Sequence, residues 1–162
     1  AGSTSKVILT LLVGGYLVYC LRHPFDWHFI DSADLIFHEA GHPLLRFGGE
    51  FISILGGSLF QVLIPLIFAG YFFFRSEYFS SSLVAAWLGY NLVNISVYIH
   101  DAIDMNLDLL GGDGVIHDWN YLLSATNLLP HTHGIGSAVS GIGLTIVTIS
   151  LLSALYFSRK KV

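Results

Sequence analysis

Three uncharged runs constrain this chain more than anything else in it: Phe51–Phe74, Tyr78–Ile99 and Gly134–Ser158. Each exceeds the ~20 residues that a helix needs to cross ~30 Å of hydrocarbon. A spanning segment must satisfy its own backbone hydrogen bonds, so the runs are predicted as helices. Val7–Leu21 is shorter, but it is bounded by Lys6 and Arg22, whose long side chains can reach an interface from inside it. It runs into Arg22-His23-Pro24 rather than a small-residue cleavage site, so it reads as a retained anchor and not as a signal peptide. Charged residues make up 11% of the 162, where a soluble domain carries about 25%. The expected fold is all-α: an integral membrane helical bundle of about four transmembrane helices, plus an interfacial helix at Ser32–Phe47 and a short extra helix at Asp118–Leu129. Residues 1–162 read as a single membrane-embedded domain, with 1–5 left outside the folded part.

The short helix is expected to take Asp118 as its N-cap and to stop at Pro130. In the last span, Gly136/Ser140 and Ser137/Gly141 repeat small residues at a spacing that permits close helix contact. Cys20 lies in an apolar run and is expected to be buried and unpaired. The net charge is −4 and the one basic cluster is Arg159-Lys160-Lys161, which argues against a nucleic-acid partner and sets the C-terminus on the cytoplasmic side of a bacterial inner membrane. Counting spans back from there places Ser32–Phe47 and the acidic Asp101–His133 segment together on the outer face, with Arg22 dissenting. The aromatics Phe25, Trp27, Phe29, Trp119 and Tyr121 are expected at headgroup depth, in contact with lipid.

His38-Glu39-Ala40-Gly41-His42 falls in the polar short segment. Two imidazoles four apart on a helix project from one face and can ligate one zinc. Glu39 then stands beside the open position, where a base activates water. Ionisable groups near a bilayer are costly and so mark function. Asp34 lies one turn earlier on the same stripe, where it either supports a histidine or forms part of a wet helix face near the positive N-terminal end. Pro43 should end or kink the helix.

A third ligand must come from elsewhere. The segment Gly111–Trp119 offers His117, Asp113 and Asp118, ranked in that order because His117 stands at a rigid helix start. His100-Asp101 follows. Asp104 and Asp108 read as a solvated loop face, and His131 and His133 as exposed loop histidines. The expected metal set is thus His38, His42 and His117, holding zinc, with Glu39 as catalytic base. Gln61, Asn91 and Asn94 sit in apolar runs, where bonds between helices account for them.

Phe37–His42, Gly56-Gly57-Ser58-Leu59-Phe60-Gln61 and Asp113-Gly114 together resemble the site-2 protease group of intramembrane zinc metalloproteases, over roughly residues 33–118. The resemblance implies a zinc ligand at Asp113 and hydrolysis of a peptide bond in or near the membrane. The chain departs from that pattern in lacking proline beside Gly56-Gly57, in carrying Gln61 in place of asparagine, and in setting Asp113 in a polar loop. HEAGH followed by Gly-Gly and His-Asp-Trp is also similar to small bacterial membrane proteins, which favours His117. The expected function is a membrane zinc metallohydrolase, foremost a peptidase acting on a peptide or membrane protein. The alternatives are a non-catalytic metal-binding or assembly protein, and a lipid-directed zinc hydrolase.

Overall fold

A computed structural model describes residues 2–107 and 116–160. Six helices follow one another: α1 (Gly2–Arg22), α2 (Phe29–Leu44), α3 (Glu50–Phe74), α4 (Tyr78–His100), α5 (Asp118–Ala125) and α6 (Thr132–Arg159). Single 3-10 turns at Arg46–Gly48 and Leu129–His131 link α2 to α3 and α5 to α6. No strand occurs among the described residues. Among the described residues, four stretches are long and apolar enough to cross a membrane: Ser3–Arg22, Glu50–Phe74, Tyr78–His100 and Leu129–Arg159. They match the four runs read from the sequence. Residues 2–5, expected outside the fold, continue α1, and Ser3 Oγ donates to the Ser158 carbonyl at 3.0 Å.

Glycine sets two close helix crossings. A Cβ on Gly89 would lie 2.8 Å from the Gly143 oxygen, and one on Gly143 would lie 2.7 Å from the Gly89 oxygen, so α4 and α6 touch backbone to backbone. Gly136 faces the His100 ring, whereas Gly141 faces open space, so only part of the small-residue pattern is used. Gly41 and Gly56 make the second crossing, where a Cβ on either would overlap the other's carbonyl group. That contact seats α2 on α3.

Apolar side chains fill what the glycines leave. Leu17 and the buried Cys20 of α1 pack with Ala86 and Tyr90 of α4, and Ile95, Ile99, Ala102 and Leu123 form a second cluster. The outward faces are apolar as well, with Leu11 and Leu12 on α1, Ile67 and Phe68 on α3, and Ile149 and Leu152 on α6 all exposed. A helix in water would turn polar residues outward.

The two shorter helices end for local reasons. Pro43 lacks the N–H that would reach the Glu39 carbonyl, and α2 stops one residue later. α5 ends at Ala125, short of the expected Leu129, because Thr126 Oγ1 folds back to the Leu122 carbonyl at 2.8 Å and Asn127 adopts φ 58°. Its N-cap is His117, whose ring accepts the Asn120 N–H, so Asp118 is the first helical residue rather than the expected cap.

Candidate metal centre

One group of three potential ligands converges among the described residues: His38, His42 and Asp118, with one ligand atom from each lying within 4.8 Å of the others. His38 Nε2 is 3.0 Å and His42 Nε2 3.5 Å from the same Asp118 oxygen, Oδ2. α2 supplies both imidazoles from one face, their centroids 5.0 Å apart. α5 brings the carboxylate, and the Tyr98 hydroxyl accepts the Asp118 backbone N–H at 3.1 Å, tying that helix start to α4.

Outer contacts decide how the imidazoles present themselves. His42 Nδ1–H donates to the Ser53 carbonyl at 3.0 Å, and Ser53 Oγ returns a bond to the His42 carbonyl at 2.8 Å. His38 Nδ1 meets Gln61 Oε1 at 3.3 Å. The Gln61 amide is itself oriented, since its Nε2 donates to Asn94 Oδ1 at 3.0 Å and Asn94 Nδ2 donates to Asp31 Oδ1 at 3.3 Å. Asp31 closes the chain, accepting Tyr90 O–H at 2.6 Å and the His28 N–H at 2.8 Å. An acceptor therefore stands at each Nδ1, an arrangement that suits a proton there and an Nε2 lone pair turned inward.

Three inward-facing acceptors repel one another unless a cation or proton lies among them. Two imidazole nitrogens and one carboxylate oxygen are a donor set that suits zinc and its neighbours. Room for the rings comes from Gly57, where a Cβ would lie 2.6 Å from His38 Nε2 and 2.8 Å from His42 Cε1. The three residues could hold a metal ion.

His117, ranked first for the third position, is not in this group. Its ring is buried, with Nδ1 accepting the Asn120 N–H at 3.2 Å and Nε2 donating to Asp101 Oδ2 at 3.2 Å. Neither nitrogen is left for a metal. Asp101 also accepts the N–H groups of Asn106 and Leu107, and so organises the turn after α4. His100 pairs instead with His133, Nδ1 to Nδ1 at 3.3 Å, on an exposed surface. Asp34, for which support of a histidine is one of two readings, accepts Trp87 Nε1–H at 2.7 Å. Asp108 and Asp113 lie outside the described residues.

Sequence reading missed the orienting roles of Gln61 and the Ser53 carbonyl and the use of Tyr98. It did expect bonds between helices at Gln61, Asn91 and Asn94; Gln61 and Asn94 make one with each other, whereas Asn91 Nδ2 bonds the Trp87 carbonyl of its own helix. An amide in an apolar run signals a partner, but not which one.

The group opens into a cavity of about 850 Å³, lined also by Glu39, Asp31, Asp34 and Tyr98, with Phe25 and Trp27 at its rim. Glu39 is exposed, so its carboxylate is available to whatever enters. The site lies at the end of the bundle where α3 begins and α4 ends. Gly57 stands roughly 10 Å along α3 from Glu50, at 1.5 Å per residue. No family model, curated protein or solved structure matches the chain.

Proposed function

We propose that this protein is an integral membrane metallohydrolase of the zinc type, and that its substrate is a peptide bond at or within the membrane. The observation that carries the reading is the meeting of His38, His42 and Asp118 in an open cavity that Glu39 also lines. The apolar outward faces of the four long helices support a lipid surrounding. In this reading Asp118 takes the third ligand position, not His117.

A divalent cation held by the three would supply Lewis acidity and an acidified water, with a pKa lowered towards ~7. The chain's own groups do the rest. His38 and His42 are held in register by Gln61 and Ser53, so their lone pairs need no reorientation. Glu39 follows His38 directly and accepts a proton from water, then delivers it to the departing amine. The Gly41–Gly56 crossing anchors the helix that carries both roles. Phe25 and Trp27, exposed at the rim, suit an apolar segment entering from the interface.

The test is paired. Purified protein should take up about one zinc per chain at neutral pH and cleave members of a library of membrane-segment peptides, read by mass spectrometry. Glu39→Gln should keep the zinc and lose the cleavage, because it removes a base and no ligand. Zinc uptake with no cleavage by either form would instead make this a non-catalytic metal-binding protein. Cleavage undiminished in Glu39→Gln would refute the role of Glu39.

A further inference from the structure

Asp34 is the most deeply buried acid of α2, 2% exposed, and the metal group makes no use of it. Its Oδ1 accepts Trp87 Nε1–H at 2.7 Å. Its Oδ2 is buried with no hydrogen-bond partner, and so is Oδ1 of Asn91, whose side chain reaches the Asp34 carboxyl. Two buried oxygens without donors are costly. They cannot both be satisfied by turning the Asn91 amide round. Asn91 Nδ2 donates to the Trp87 carbonyl at 3.2 Å, and a turned amide would set its oxygen against that carbonyl. A single proton on Asp34 Oδ2 satisfies both atoms at once.

We propose that Asp34 is a positioning residue that works as a neutral carboxylic acid, its Oδ2–H donating to Asn91 Oδ1 and fastening the His38–His42 helix to α4. Trp87 and Asn91 are one turn apart on α4, so the acid bridges two successive positions of that helix with two bonds of opposite sense. The surroundings agree. Burial is the largest influence and pushes the carboxyl from 3.8 to about 7, and the charge of Asp31, on the same helix, pushes the same way. The Trp87 bond, and the Asn91 amide wherever it faces the ionised carboxyl, act in the opposite direction. The titratable groups facing Asp34 are Asp31 on α2 and Tyr90 on α4, and no cation of the described residues offsets the burial.

The inference stands apart from the hydrolase reading, because it concerns how α2 is held and not what it catalyses. Infrared spectroscopy of the full chain in detergent tests it directly. At mildly acidic pH the wild type should show the carbonyl band of a buried carboxylic acid that Asp34→Asn lacks, and the band should fade as pH rises through about 7. Asp34→Asn places an amide N–H where the proton was, so it should keep the wild-type thermal midpoint, whereas Asp34→Leu should lower it. Trp87→Phe deletes the donor that favours the charged form and should move the fading to higher pH. The absence of such a band from the wild type at mildly acidic pH would overturn the proposal. Should Asp34→Asn fail to fold, Trp87→Phe decides: a fading point that stays put or moves down overturns the proposal, and one that moves up supports it.

Discussion

Gly57 lies edge-on to both imidazoles of the centre, so close that a single added carbon would stand 2.6 Å from His38 Nε2 and 2.8 Å from His42 Cε1. The atoms it would meet are ring tips rather than backbone, so the rings would yield before the helices did. Gly57→Ala is therefore expected to leave the fold near its wild-type stability while weakening zinc binding by about tenfold or more, or about 1.4 kcal/mol. Isothermal titration with zinc beside a thermal melt separates the two effects.

Gly41→Ala should do the reverse. Its added carbon would meet the Gly56 backbone, which cannot swing aside. Loss of about 1–3 kcal/mol of stability is expected, the scale of overpacking at a tight contact. A melt unchanged from wild type would show that α2 is free to lift off α3.

Asp118→Ala and His117→Ala, neighbours in sequence, should part company. Asp118 faces the two Nε2 atoms, so its loss removes a ligand and should reduce zinc affinity by orders of magnitude. His117 caps α5 and bonds Asp101, so its loss should cost about 1 kcal/mol of stability, typical of a removed cap. Zinc affinity should fall much less. X-ray absorption on the zinc-loaded protein would add a direct count: two imidazoles and a carboxylate, against the three imidazoles that a His117 ligand would give.

Gln61→Leu tests the orienting chain behind His38. Without the Gln61 oxygen, His38 Nδ1–H loses its acceptor and the ring its fixed tautomer. Affinity for zinc is expected to fall by about 10–100-fold, the usual range for a lost outer contact. Gln61→Glu should do better than Gln61→Leu, because a carboxylate accepts the same N–H.

The stability of the metal-free protein should depend on pH through Asp34. Its folded pKa is raised from 3.8 to about 7, so the folded state binds the proton more tightly than the unfolded one. This contribution is complete below the unfolded value and is lost as pH rises through about 7. In Asp34→Asn, chemical denaturation across that window should lack the slope.

What the sequence made legible follows from how strongly each feature is dictated. Hydrocarbon demands long uncharged runs, so the four long helices could be read directly from Phe51–Phe74 and its counterparts. The pairing of His38 with His42 follows from helical periodicity. The third ligand hinged on a single residue step at the start of α5. Aspartate is a favoured N-cap, which pointed to Asp118 as the cap, and the rigid helix start put His117 first among the ligands. Contacts distant in sequence, Tyr98 with Asp118 and Asp101 with His117, choose the other register. Gly57 and Gln61 stood out as a glycine pair and an isolated amide, but the face of α3 that meets α2 is set by packing, which local patterns do not record.

Asp118 reaches His38 across 80 positions of chain, and this separation orders events during synthesis. A nascent chain that has completed α2 and α3 carries both imidazoles but not Asp118. The full grip exists only once the segment after α4 has emerged and folded back. A metal ion held by all three would thus be gripped only once most of the bundle is in place, and would staple the start of the chain's fifth helix to its second.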